Sequence, residues 1–131
     1  MKTFRSHYEA FIAARLKNGG WRYAYEPKTI KYIKPEQHCS YLPDFYLPDT
    51  DIYIEAKGLF SSKDRKKHLL IQEQHPEFDI RFVFQNSKLP INSRSKTTCG
   101  QWCDKHNFKW AHKVIPEEWL TGERLDNERA Q

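Results

Sequence analysis

The chain has 131 residues, with 22 Lys plus Arg against 17 Asp plus Glu and a net charge of +5. That length suits one domain with a modest core, and three cysteines without framework spacing exclude a disulfide-stapled secreted scaffold. No apolar signal core or membrane-length run is seen, so a soluble, cytoplasmic protein with no membrane partner is expected.

Taken in order, Ser6-His7-Tyr8-Glu9 fits a capping box that opens a helix, with Glu9 at its third position. Phe4, Tyr8, Phe11, Ile12 and Leu16 recur at helical spacing, and Asn18-Gly19-Gly20 ends the run. Trp21, Tyr23 and Tyr25 alternate as in a first strand. Thr29 to Lys34 reads as a second, stopped by Pro35, and the polar run 36–40 has no strong preference.

Tyr41 to Gly58 reads as a β-hairpin with a Pro48-Asp49-Thr50-Asp51 turn. That loop pairs Leu47 with Ile52, Tyr46 with Tyr53, Phe45 with Ile54 and Asp44 with Glu55. The aliphatic set and Phe45 share one face; Asp44, Tyr46, Tyr53, Glu55 and Lys57 share the other.

Ser61-Ser62-Lys63-Asp64 offers another cap, for a helix running to about His75 and stopped by Pro76. Ile80 to Phe84 is a short apolar run typical of a central strand. Residues 85–98 read as a polar surface loop and Cys99 to His106 as a short helix. Phe108 to Ala111 and Val114-Ile115 follow as extended pieces, then a turn opened by Pro116 with Trp119 and Leu120. The charged tail from Thr121 to Gln131 is expected to fray. This is a mixed α/β (α+β) sheet flanked by helices, in one domain over 1–120 with a tail over 121–131.

The hairpin carries the chemistry. Opposed carboxylates on one sheet face have Cβ atoms about 5 Å apart and repel, and a divalent cation between them removes the repulsion. Hard Mg²⁺, with Mn²⁺ as a substitute, favours such oxygen ligands. Lys57 points into the same space, and two acids and a lysine around a cation suit phosphodiester hydrolysis. Residues 1–40 carry eight Lys/Arg and three acids, and residues 86–113 carry six and one. Basic flanks around an acidic centre suit a polyanion held over metal-binding carboxylates, although a merely basic soluble protein has the same balance.

Pro43-Asp44 followed by Glu55-Ala56-Lys57 resembles the PD-(D/E)xK nuclease motif. The flanking Gly58-Leu59-Phe60, Asp64-Arg65-Lys66-Lys67-His68-Leu69-Leu70-Ile71 and Glu73-Gln74-His75-Pro76-Glu77 extend the match. Over roughly Phe4 to Leu120 the chain resembles the phage endodeoxyribonuclease I family of Holliday-junction resolvases.

The resemblance implies a restriction-endonuclease-like core and a domain-swapped homodimer. In that dimer the connection around Tyr32 to Pro35 bridges two protomers, and about residues 1–34 complete the partner's core. It implies Glu9, Asp44, Glu55 and Lys57 as catalytic residues. Asp44 and Glu55 would hold a first Mg²⁺ with the Ala56 carbonyl, and Asp44 with Glu9 a second. The substrate implied is a four-way or otherwise branched DNA junction, and the products carry 5′-phosphates. The setting is the host cytoplasm if the chain is phage-encoded.

Two readings of Glu9, cap and active-site acid, are compatible if its two oxygens face different partners. Arg5, Lys63, Arg65, Lys66, Lys67, His68, Lys88, Arg94 and Lys96 are the expected DNA contacts; a solvated basic face is the bland reading of the same run. Cys99, Cys103, His106 and His112 lack the spacing of a zinc knuckle. His7 and His38 read as surface residues, and the four Trp and seven Tyr as core and strand residues.

The chain departs from the family pattern in a short basic arm (Lys2 and Arg5), an acidic tail and a hairpin turn one residue longer. A restriction or repair nuclease on the same core, or a non-catalytic DNA-binding module, are the rival readings. The first would cut linear duplex at one sequence; the second would bind without nicking.

Overall fold

A computed structural model describes residues 3–34 and 36–122. Helix α1 (His7–Asn18) starts where Ser6 turns extended and its hydroxyl accepts the Glu9 N–H at 3.0 Å. Ile12, Ala13 and Leu16 form the buried stripe. Phe11 instead lies on the outer side beneath Arg15. The chain leaves the helix through Gly20, whose φ of +76° is left-handed and suits a residue without a Cβ.

The expected first strand is shorter than its aromatic alternation suggests. Strand β1 (Ala24–Tyr25) pairs with β4 (Phe45–Leu47) at the sheet edge, while Trp21 and Tyr23 pack against the core beside α1. Strand β2 (Ile30–Lys34) forms as expected. The run without preference becomes β3 (Gln37–Tyr41), antiparallel to β2 from Ile30↔Tyr41 to Lys34↔Gln37. The partner strand and burial of Ile30 and Tyr41 supply what local propensity lacks. This two-stranded sheet leans on the end of α2 (Ser62–Gln74), where Gln74 accepts the Ile33 N–H and donates to its carbonyl.

Strand β5 (Ile52–Lys57) pairs with β4 in the expected register, Phe45↔Ile54, Tyr46↔Tyr53 and Leu47↔Ile52. The intervening four residues close with the Thr50 and Asp51 N–H groups both donating to the Leu47 carbonyl, at 3.3 and 2.8 Å. Helix α2 crosses over to β6 (Asp79–Phe84), which lies parallel to β5, and β7 (Trp110–His112) lies parallel to β6. Helices α3 (Cys99–Lys105) and α4 (Glu117–Thr121) are the last two helices of the described residues. Val114 and Ile115 are not a strand, because Lys113 turns the backbone at φ +71° just before them.

The result is a five-stranded mixed sheet in the order β1-β4-β5-β6-β7, flanked by helices as expected. On the α1 face, Ile12 and Leu16 pack against Phe45, Leu47, Ile52, Ile54 and Val83. On the other, Phe60, Phe82, Phe84, Trp102 and Phe108 form an aromatic block. Burying each such side chain contributes about 2 kcal/mol, which is what fixes the β4–β5 register and, with it, the acids at the open end. Among the described residues no helix is long and apolar enough to cross a membrane. The fraying expected beyond Gly122, and Lys2 of the basic arm, lie outside the described residues.

Candidate active site

Asp44 directly precedes β4, and Glu55 and Lys57 occupy the end of β5, so the antiparallel pair brings them to one end of the sheet. Helix α1 adds Glu9 from the other side. These four line one open cleft of about 610 Å³, with Tyr41, Ala56 and Asp64 also in its wall. A larger hollow of about 960 Å³, beside Asp49, Arg81 and Trp119, contains none of the expected site residues.

Each carboxylate is buried and held by a protein donor. The Ala56 N–H donates to Oδ2 of Asp44 at 2.9 Å. Tyr41 donates its hydroxyl to Oε1 of Glu55 at 2.7 Å, while the Lys57 ammonium stands 3.0 Å from Oε2. On Glu9, Oε1 accepts both the Tyr25 hydroxyl at 2.6 Å and the Arg5 N–H at 3.0 Å. The Glu9 backbone N–H is thus capped by Ser6, while its carboxylate lines the cleft. The expected capping box is half-formed, since the carboxylate reaches the Arg5 N–H rather than that of Ser6.

The crowding of acids has a direct consequence. Burial first, then the Glu55 charge and a hydrogen bond to Glu9, push the Asp44 carboxyl up to about 9. Burial alone would lower Lys57, but Glu55 and Asp64, 3.0 and 3.5 Å from its ammonium, outweigh it and hold the lysine above its ordinary value. It is a fixed cation facing the cleft.

In kind, this donor set fits a hard divalent cation: carboxylate oxygens, a peptide carbonyl at Ala56, and a proton held on Asp44 where positive charge is wanted. Among the described residues, no three ligating side chains converge as a ready-made cage. Tyr25, the Ala56 N–H, Tyr41 and Lys57 occupy the oxygens instead. An incoming ion would replace the proton on Asp44 and compete with part of those donors.

The expected DNA contacts divide into two groups. Lys63, Lys66, Lys88, Arg94, Lys96 and Arg5 are exposed, and Arg5 borders the cleft with its guanidinium 3.8 Å from Glu26. Lys67 is half-buried, with its ammonium 3.8 Å from Asp64 and over the Tyr41 ring. Arg65 and His68 must be corrected: both are buried, because positions three apart share the α2 face that packs on the sheet. The Arg65 guanidinium donates to the carbonyls of Phe60 and Ile91, at 2.6 and 2.9 Å, and pins the 85–98 loop. His68 sits among Tyr41, Phe82 and Phe108.

Cys99 and Cys103 are buried free thiols, His106 packs on Trp102, and His112 Nδ1 meets the Ser87 hydroxyl. Three residues of the site went unread in the sequence: Tyr25, Tyr41 and Asp64. The tyrosines belong to aromatic and polar alternations that look like plain strand, and Asp64 looks like a helix cap.

Comparison with known proteins places the chain in clear company. The family profile described as phage endonuclease I matches residues 1–128. Endonuclease I of Escherichia phage T7 is 46% identical over 118 residues, covering 90% of this chain and 78% of the relative. Endodeoxyribonuclease 1 of Enterobacteria phage T3 is 48% identical over 115 residues, covering 88% of this chain and 75% of the relative.

Proposed function

The chain belongs to the phage endonuclease I family, and from that membership we propose that it is a metal-dependent, structure-selective DNA endonuclease. Its substrates are four-way and other branched junctions, hydrolysed to leave 5′-phosphates. The observation that supports this best is the convergence of Glu9, Asp44, Glu55 and Lys57 in one cleft.

Asp44 and Glu55, with the Ala56 carbonyl, are the residues to hold one Mg²⁺ or Mn²⁺, and Asp44 with Glu9 a second. Bound there, such ions supply an activated water and neutralise charge developing on the leaving oxygen. Glu55 and Asp44 present the oxygens, and Glu9 closes the cleft from α1. Lys57, kept protonated by its acidic neighbours, holds a phosphate oxygen or the attacking water as negative charge builds. The exposed lysines of α2's first turns and of the 85–98 loop meet phosphates; shape rather than base sequence is read.

The working form in this proposal is a homodimer, in which two clefts on a two-fold frame address strands of one branched molecule. Within one chain Glu9 stands close enough to Asp44 to help raise its carboxyl, and an exchanged dimer would make that same approach between protomers.

A synthetic four-way junction, incubated with wild type and Glu55→Gln with and without Mg²⁺, tests the reading. Cleavage is expected from wild type with metal alone, with the variant still binding. Cutting by the variant, cutting in chelator, or cutting of linear duplex while the junction is ignored would overturn it.

A further inference from the structure

We propose that Tyr41 is a positioning residue for Glu55, with the buried ring of His68 as its backstop. The proposal rests on the nuclease reading above and deepens it. Glu55 has two oxygens and two different donors: the Tyr41 hydroxyl at 2.7 Å on Oε1, and the Lys57 ammonium at 3.0 Å on Oε2. Lys57 faces the cleft and has other work there. When it turns to a phosphate, Tyr41 alone still fixes the carboxylate.

Tyr41 lines the cleft wall but is almost wholly buried. It is 3% exposed, and its hydroxyl donates to Glu55. Its backbone is locked in β3 opposite Ile30. The His68 ring meets it edge-on, at 4.9 Å between centroids and 83° between planes, and the Lys67 ammonium lies 5.3 Å from the ring centroid.

His68 is the less expected half of the device. It is 1% exposed, and neither ring nitrogen has a hydrogen-bond partner among the described residues. Leaving buried polar atoms unpaired is costly. What the ring does supply is contact: Phe82 at 4.7 Å lies behind it and Tyr41 in front. The imidazole acts by packing and carries no proton to the cleft.

Tyr41→Phe removes the hydroxyl and nothing else. The expected result is an Mn²⁺ affinity of the free protein, measured calorimetrically, that falls about tenfold, as does kcat on a four-way junction at saturating metal. KM and the thermal midpoint in EDTA should stay near wild type. His68→Phe should keep kcat, whereas His68→Ala, which unclamps the tyrosine, should lower it. Wild-type Mn²⁺ affinity and kcat in Tyr41→Phe would overturn the proposal. So would losses that merely track a lowered thermal midpoint, or equal kcat in His68→Phe and His68→Ala. Glu55→Gln, run in parallel, separates the two levels. If wild type does not cut, the nuclease reading fails; if Glu55→Gln still cuts, its assignment to this site fails; if Glu55→Gln is inert while Tyr41→Phe is normal, only the role of Tyr41 fails.

Discussion

Tyr25 and Glu9, sixteen residues apart, meet at 2.6 Å through the phenol hydroxyl and Oε1. One hydrogen bond thus ties the edge strand to the first helix through a carboxylate of the cleft. Tyr25→Phe should lower junction cleavage about tenfold by loosening Glu9. Ser6→Ala, which removes only the helix cap, should cost about 1 kcal/mol of stability and leave cleavage near normal. Urea unfolding alongside a nicking assay checks both; a Ser6→Ala enzyme as impaired as Tyr25→Phe would mean that the helix, not the carboxylate, is what matters.

The raised Asp44 carboxyl makes stability depend on pH. Its pKa rises from 3.8 unfolded to about 9 folded, so the native state holds a proton that the unfolded chain has released across that window. The stabilisation from that proton is complete below pH 3.8 and is lost as pH climbs through about 9. In chelator at pH 8, Asp44→Asn should therefore melt above wild type, by about 5 °C or more, and the gap should narrow toward pH 5. Thermal melts across that range decide the matter: a variant no more stable at pH 8 contradicts the assigned strain.

Lys57 is a cation because acids surround it, and its replacement should cost rate rather than binding. Lys57→Ala is expected to reduce cleavage by about 10²–10³-fold. Junction affinity measured in Ca²⁺ should change little. If affinity falls as steeply as rate, the lysine is a docking contact instead.

Burial separates residues that look alike in the basic run of α2. Arg65→Ala leaves two carbonyls without their guanidinium and should destabilise by about 2–3 kcal/mol. Lys63→Ala and Lys66→Ala should barely move stability, while each reduces the salt slope of DNA binding by about one. Equal destabilisation by all three would contradict the different roles assigned to them.

The hairpin was the most legible part of the chain. Alternation of Phe45, Leu47, Ile52 and Ile54 set the register, and register placed Asp44 near Glu55 without further help. The helix starts at Ser6 and Ser61 were equally plain, because capping is local chemistry. Strand β3 was not legible: Gln37 to Ser40 has no preference of its own and is made extended by β2 beside it. Arg65 and His68 were misplaced for a related reason. A run of five basic or imidazole side chains hides which ones face inward until the sheet beneath the helix is known. Tyr25 and Tyr41 were invisible as site residues because the carboxylates they serve lie sixteen and fourteen positions away.

The turn between β4 and β5 lies at the opposite end of both strands from the acids, with Thr50 donating its hydroxyl to the Trp119 carbonyl and Arg22 meeting Asp49. Three ladder pairs stand between that bend and the cleft. A length change there is expected to be absorbed by the bend rather than transmitted along the ladder. Natural variation can accumulate at this tip at little cost to turnover, and the same tip offers a place to attach a dye or a surface tether without disturbing the chemistry.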